Sequence, residues 1–323
     1  MKKLFLVDAY ALIFKYYYAF MGRPMRNRAG MNTSVVFGFT KFLRDIQKRE
    51  HPDLLGVAFD PKGGSFRREI FPEYKANRAE TPEDILLSVP YVKRIVEAMC
   101  IPVLEVPGYE ADDVIGTLAH KGVEAGYDVF MVTPDKDYGQ LVSEHVFMYR
   151  PKYGDKDFEV MGVEEVKAKF DIQSPLQVID MLGLMGDTAD NIPGCPGVGE
   201  KTAQKLIAQF GSIENLLAHT DELKGAIKKK VEENKEQITF SKFLATIKTD
   251  VPIALDMEAL KREEPDEEEL RRLFEMLEFR SLIDRVIKTE KKSSLLSCRS
   301  TRSLWLFLRR KIQLTPKIQF SRG

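Results

Sequence analysis

Lys3-Leu-Phe-Leu-Val-Asp8 is a short apolar run that ends on a carboxylate. A run of this length without polar alternation reads as a strand buried on both faces. The pattern returns along the chain. Residues 54–59 are apolar and lead into Asp60, and residues 102–106 form a third run. Residues 128–133 form a fourth, followed by Asp135 and Asp137, and residues 146–150 a fifth. The segments between them read as helices: 9–20, 32–49, 83–99 and 110–124, the last stopped by Gly126. In 32–49 the periodic positions are Val35, Val36, Phe39, Phe42, Leu43 and Ile46. Strands alternating with helices predict an α/β fold, a mainly parallel central sheet flanked by helices. In such sheets the active crevice lies beyond the C-terminal ends of the strands. Asp8, Asp60, Asp135 and Asp137 all fall at that edge.

Beyond residue 163 the periodicity is helical to about residue 287, interrupted by Asn191-Ile-Pro-Gly-Cys-Pro-Gly-Val-Gly-Glu-Lys-Thr202. Residues 61–82, rich in Arg, Lys, Gly and Pro, read as an exposed excursion. The chain divides into an α/β domain over 1–180, with a basic arch at 61–95, a helical region over 181–288, and a basic tail at 289–323 expected to be disordered.

Composition bounds the function. With 323 residues, 44% hydrophobic and 30% charged, the chain has the make-up of a soluble globular protein. The formal charge is zero, but residues 293–323 hold seven basic and no acidic side chains, leaving residues 1–292 at −7. Cys100, Cys195 and Cys298 are far apart and form no CxxC pair, which argues against zinc and against a disulfide framework and fits a reducing cytosol. Asp8 and Lys15 interrupt the N-terminal apolar run too early for a signal peptide. No stretch reaches the roughly 18 apolar residues of a membrane span.

The carboxylates come in spacings that bring them together. Glu110, Asp112 and Asp113 crowd the first turn of a helix, whose dipole offsets part of their charge. Asp135 and Asp137, two apart, share one side of an extended segment. Asp187 and Asp190, at i and i+3, are neighbours on one helical face. Singly, each has an ordinary reading: Asp8 as a helix cap, Asp112 and Asp113 as dipole partners, Asp135 and Asp137 as turn residues, Asp187 as a cap. All of them at one sheet edge is a different matter. Converging carboxylates raise one another's pKa unless cations balance them, and hard oxygen-ligated ions suit them best, Mg²⁺ or Mn²⁺. Two such ions, about 4 Å apart, can clamp a phosphodiester.

The excursion interleaves Arg67, Arg68, Lys75 and Arg78 with Phe66, Phe71 and Tyr74. Cations of this kind neutralise phosphates and rings of this kind stack on unpaired bases. Lys75 or Arg78 could also stabilise charge on an attacked phosphate. In the glycine cluster, Gly197 and Gly199 permit close backbone approach, and the helix from Glu200 points free amides back at the turn. Lys201 adds a cation. The spacing does not match a Walker loop, and no GxGxxG follows the first strand, so nucleotide-binding readings are disfavoured.

In order along the chain stand Leu-Val-Asp8, Ala-Phe-Asp60, Tyr-Lys-Ala-Asn-Arg78, Gly-Tyr-Glu-Ala-Asp-Asp113, Asp-Lys-Asp137, Gly-Asp-Thr-Ala-Asp-Asn-Ile-Pro-Gly194 and Gly-Val-Gly-Glu-Lys-Thr-Ala203. This set resembles the 5′ nuclease (flap endonuclease) superfamily over about residues 1–288, and most of all the 5′→3′ exonuclease region of bacterial DNA polymerase I. The resemblance implies a PIN-like 5′ nuclease fold with a helical arch and a helix–three-turn–helix element. It implies that Asp8, Asp60, Glu110, Asp112, Asp113, Asp135, Asp137, Asp187 and Asp190 hold two Mg²⁺ ions, Mn²⁺ being able to substitute. It implies a catalytic role for Lys75 and Arg78 at the base of the arch. Arg67, Tyr74, Gly194, Gly197, Val198, Gly199, Lys201 and Thr202 are the expected DNA contacts, with K⁺ at the turn.

The implied enzyme is a metal-dependent 5′→3′ exonuclease and flap endonuclease of replication and repair, acting on DNA with 5′ ends or flaps and on RNA in hybrids. It would work as a monomer in the bacterial cytoplasm at the nucleoid, beside a polymerase or ligase and away from membranes. Three departures stand out. Pro134 replaces a common glycine, Tyr138-Gly139 replaces an apolar pair, and no polymerase region follows, so a stand-alone nuclease or a truncated polymerase is expected. The competing functions are a catalytically inactive module that binds flaps or nicks, and an RNA-processing nuclease. The presence of every motif acid favours the active DNA enzyme.

Overall fold

The computed structural model describes residues 2–151 and 158–283; the basic tail at 289–323 lies outside them. The described residues fall into two compact units that part between Pro265 and Asp266.

In the first unit, β1 (Lys2–Asp8) leads directly into α1 (Ala9–Phe20), followed by α2 (Ser34–Glu50) and β2 (Leu54–Ala58). A short α3 (Phe66–Ile70) precedes α4 (Glu83–Ala98), β3 (Val103–Leu104), α5 (Ala111–Glu124) and β4 (Tyr127–Val132). A 3-10 turn over Lys136–Leu141 connects to β5 (Val146–Pro151), and β6 (Phe158–Met161) completes the strands. The helical remainder is α6 (Val163–Phe170), α7 (Gln177–Met185), α8 (Glu200–Phe210), α9 (Ile213–Ala218), α10 (Gly225–Glu233) and α11 (Lys235–Ala245). In the second unit, α12 (Glu267–Met276) is capped by Asp266, whose side chain accepts from the Glu269 amide.

The sheet order is β3-β2-β1-β4-β5-β6. The first five strands in that order pair in parallel and β6 pairs antiparallel to β5. Residues 4–7 are wholly buried, as expected of a central strand covered on both faces. Alternation sends the two sets of side chains to opposite sides. Leu4, Leu6, Val129 and Met131 join Val114, Ile115 and Leu118 of α5 in one core. Phe5, Phe130 and Phe147 stack on the other face (ring centroids 4.7 and 5.3 Å), where Phe42 of α2 meets Phe158 at 5.6 Å. The chain leaves β1 toward β2 and β3 on one side and returns to β4 on the other. Asp8 therefore ends the strand at the topological switch point, where α/β sheets open a crevice.

Four expectations need correction. β6 was not foreseen, because half of its residues are polar or exposed on an edge. Residues 246–265 are irregular rather than helical. The segment carrying Asp187 and Asp190 is not a helix: Gly186 (φ +74°) ends α7, and Asp187 and Ile192 close a two-residue antiparallel bridge. A side chain at Gly186 would meet the Ile192 carbonyl oxygen at 2.4 Å, so the turn requires glycine. Finally, residues 61–82 are only partly exposed, since Arg67 in α3 is 1% exposed and Tyr74, in the turn beyond it, 2%.

Candidate active site

The carboxylates converge beyond the strand ends, each placed by its own local rule. Asp8 caps α1, its Oδ1 accepting from the Ala11 amide at 3.1 Å, while Oδ2 accepts from the Tyr138 hydroxyl at 3.0 Å and the Thr133 hydroxyl at 3.4 Å. The capping reading and the cluster reading are thus both true of Asp8. Asp60, just past β2, accepts from the Ala111 amide at 2.8 Å, which ties it to the start of α5. Asp112 follows in the first turn. Asp135 caps the 3-10 turn after β4 by accepting from the Asp137 amide at 3.0 Å. One oxygen each of Asp137, Asp187 and Asp190 lies within 4.8 Å of the other two. The bridge at 187–192 achieves by a turn what a helical face was expected to do.

Electrostatics divides the acids. Burial first, then Asp60 and Asp135, push the Asp8 carboxyl up to about 7. Burial, then Asp135 and Asp187, push Asp137 up to about 8. Burial and the neighbouring Asp113 hold Asp112 well above the usual carboxylate range, and crowding by protein raises Asp60 and Asp135. Glu110 and Asp190 go the other way. Burial opposes their ionisation, but Lys75 with Arg67 at Glu110, and Lys75 with Arg78 at Asp190, outweigh it and hold both below the usual range.

The cations responsible come from one segment. Lys75 Nζ lies 2.9 Å from Glu110 and 3.6 Å from Asp190, and Arg78 Nη2 lies 2.5 Å from Asp190. Backbone ties hold that segment to the acidic turn. The Lys75 amide donates to the Asp190 carbonyl, Asn77 to the Thr188 carbonyl, and Asn191 to the Glu73 carbonyl. Lys75 and Asn191 both adopt left-handed backbone (φ +58° and +57°), uncommon for residues with a side chain and characteristic of functional sites. Tyr74 does not present its ring to solvent as a stacking residue would. Its hydroxyl lies 3.0 Å from both Glu110 and Asp190 and bridges them.

Asp113 and Arg67 leave their expected roles. The Asp113 oxygens accept from Arg67 Nη1 and Nη2 at 2.8 Å each, from the Glu110 amide at 3.2 Å and from the Lys248 amide at 2.8 Å. A carboxylate has about four acceptor directions, so none is left for a metal ion. Arg67, expected to meet DNA phosphate, is spent on this pair. The spacing Glu110-Ala-Asp-Asp113, in which the third residue past a cap commonly turns back to the cap amide, could have pointed to the Asp113 contact with Glu110, while nothing local points to Arg67.

The remaining acids pass a test for divalent cations. Asp137 Oδ1 is buried and accepts no hydrogen bond, and buried acceptors without partners are rare. An orphaned oxygen on Asp137, a carboxyl itself held above its usual pKa, beside Asp187 and Asp190 is a donor set suited to hard oxygen-seeking ions such as Mg²⁺. Tyr138 is the residue that reading the sequence missed. Its buried hydroxyl orients Asp8, a role that an apolar residue at that position cannot fill.

The glycine turn sits between α7 and α8. Gly199 caps α8, and a Cβ there would meet nothing within 4 Å, which leaves the helix N-terminus open to an anion. Lys201 is exposed beside it, Thr202 is half-buried, and the Gly197 carbonyl accepts from Lys230 at 3.2 Å. Two expected contacts are internal. Val198 is 4% exposed. The Gly194 amide donates to the Ser241 hydroxyl, while its carbonyl accepts from Gln237.

Comparison with known proteins gives a consistent result. Residues 3–171 match the family model "5′-3′ exonuclease, N-terminal resolvase-like domain", and residues 173–268 match "5′-3′ exonuclease, C-terminal SAM fold". DNA polymerase I of Bacillus caldotenax is 40% identical over 287 residues, and that of Bacillus subtilis 41% over the same length. Each alignment covers 88% of this chain and 32% of the relative, so the chain spans about a third of these relatives. Among solved structures, a T5 5′-exonuclease with bound zinc superimposes with a TM-score of 0.65 at 19% identity, covering 76% of this chain and 89% of that one. A T5 flap endonuclease in complex with DNA and metal ions gives 0.63 at 19% identity, covering 86% and 100%.

Proposed function

We propose, from the premise that this chain belongs to the 5′-3′ exonuclease family, that it hydrolyses phosphodiesters at 5′ ends and 5′ flaps of DNA, and RNA in hybrids, with two divalent metal ions. The observation that carries the proposal is the orphaned buried oxygen of Asp137, itself held above its usual pKa, beside Asp187 and Asp190. Asp8, Asp60, Asp112 and Asp135 would hold metal on one side, and Asp137, Asp187 and Asp190 on the other, with Glu110 between them. When bound, the ions supply a water nucleophile and stabilise charge on the attacked phosphate and leaving oxygen.

The protein's own residues do the rest. Tyr138 and the Ala11 amide orient Asp8. Tyr74 fixes the distance between Glu110 and Asp190. Lys75 and Arg78 place positive charge at the rim of the cleft, where it can neutralise the attacked phosphate. Gly197, Gly199, Lys201 and Thr202 would grip duplex backbone by helix-terminal amides and a cation, contacts that position without reading sequence, and a K⁺ ion could join them there. The division at residue 180 between a nuclease domain and a duplex-binding region belongs to this reading. So does work as a monomer at the bacterial nucleoid beside a polymerase or ligase. Among the described residues no helix is long and apolar enough to cross a membrane.

The test is cleavage of a 5′-labelled flap duplex with Mg²⁺ and with chelator, beside Asp112→Asn. Metal-dependent release of the flap, lost in the variant, is expected. Tight binding with no release by the wild type would replace the proposal with an inactive flap-binding module.

A further inference from the structure

Residues 244–248 form a short strap at the end of α11, and three buried side chains take hold of it from opposite sides. Arg67 Nε donates to the Leu244 carbonyl at 3.0 Å and Nη2 to the Thr246 carbonyl at 2.8 Å. Gln140 Nε2 donates to the Ala245 carbonyl at 3.0 Å, and its Oε1 accepts from the Ile247 amide at 2.8 Å. Asp113 accepts from the Lys248 amide at 2.8 Å. Carbonyls at the end of a helix have no partner within it. Here Arg67 and Gln140 supply those partners, and the guanidinium also complements the helix dipole.

The same side chains reach the acids. Arg67 Nη1 donates to Glu110 at 3.3 Å and to Asp113 at 2.8 Å, and Nη2 donates to Asp113. With the two strap carbonyls, all five guanidinium N–H groups are used, which a lysine cannot reproduce. Gln140 Nε2 also donates to the Asp137 carbonyl at 3.1 Å. One edge of the strap is therefore tied to Glu110 and Asp113, which flank Asp112. The other is tied to the backbone of Asp137. At its far side, α11 holds the glycine turn through Gln237 and Ser241 on Gly194.

We infer that the strap sets the spacing between the two groups of metal-binding acids, that Arg67 and Gln140 are its positioning residues, and that α11 thereby links the glycine turn rigidly to the metal site. The inference rests on the metal-site reading given above. Neither residue is a ligand, so each acts only through the acids it holds.

The experiment is titration of Mn²⁺ into the full chain, with bound ion counted by electron paramagnetic resonance, for wild type, Arg67→Lys and Gln140→Leu. Thermal unfolding of each is followed in parallel. Each variant is expected to bind at least one Mn²⁺ about tenfold more weakly, the effect typical of outer-shell partners, while duplex binding in chelator stays at the wild-type level. Guanidinium ion added to Arg67→Ala should recover Mn²⁺ affinity. Lowered thermal stability with Mn²⁺ affinity within twofold of wild type in both variants would overturn the inference and leave a structural role only. If the Arg67 variants do not fold, Gln140→Leu decides alone by the same criterion. A wild type that binds no Mn²⁺ would instead remove the metal-site reading itself.

Discussion

Two neighbourhoods of the same cleft hold the same kind of residue under opposite conditions. Glu110 and Asp190 face Lys75, with Arg67 or Arg78 beside them, and are held ionised below the usual carboxylate range. Asp8, Asp60, Asp112, Asp135 and Asp137 make no ion pair among the described residues, and burial, outweighing the more distant cations, pushes them upward, Asp8 to about 7 and Asp137 to about 8. Both groups are crowded by protein, so crowding does not separate them. Supply of positive charge does. The first neighbourhood has cations of the chain in direct contact, and the second has none and depends more fully on ions from solution. Clustered acids are therefore not equivalent evidence for metal, and the ones without a cation in direct contact carry the argument.

The largest expected effect lies in the unbalanced group. Asp135→Asn should reduce flap cleavage by about a thousandfold or more, equivalent to roughly 4 kcal/mol of transition-state stabilisation, with flap binding retained in a gel-shift assay. Cleavage at the wild-type rate would remove Asp135 from the metal set. Next is the cation shared by the balanced group. Lys75→Ala should lower turnover about a hundredfold, the usual scale for losing one preorganised charge partner, and single-turnover kinetics would separate that loss from weakened binding.

The third prediction sets the groups directly against each other. In chelator, Asp190→Asn should destabilise the protein by roughly 1–3 kcal/mol, because Lys75 and Arg78 lose their partner. Asp137→Asn should stabilise it, because a crowded charge is removed. Urea unfolding of both variants measures this, and shifts of the same sign would break the distinction. The smallest effect is a pH slope. Asp8 and Asp137 bind protons in the folded state up to pH values of about 7 and 8, against 3.8 in the unfolded chain. The folded state thus holds more protons between about pH 4 and 8, and stability must fall as pH rises through that window. Glu110 and Asp190, held low, contribute stability above that range's lower end and lose it only on further acidification. Calorimetry in chelator should show a melting temperature lower at pH 8 than at pH 5.5, with Mg²⁺ flattening the difference. A flat profile in chelator would mean that the second group is balanced after all.

Much of this was legible before any coordinates. β1, β2, β4 and β5 were readable because central parallel strands are buried on both faces and so are apolar throughout. The acids at their ends were readable because carboxylates that close a buried strand stand out against it. β6 was not, since an antiparallel edge strand carries no such continuous run. The excursion at 61–82 misled for a related reason. Charge in a sequence suggests solvent, yet Arg67 is buried because Asp113, forty-six positions away, meets it. The closeness of Asp187 and Asp190 was read from the wrong local structure, because a three-residue separation brings side chains together in a tight turn as well as in a helix.

The sequence by itself determined the sheet, its acidic edge and the set of candidate ligands, because strand burial and acid placement are local patterns. Tertiary structure alone decided which acids are in direct contact with cations and which are not. It turned Asp113 from ligand to tether, Tyr74 from stacking ring to bridge, and Gln140 into a contact between a helix end and the site. Those outcomes depend on distances of about 3 Å between residues far apart in the chain, the range within which hydrogen bonds form, and apart from the Glu110–Asp113 cap no spacing along the chain encodes them.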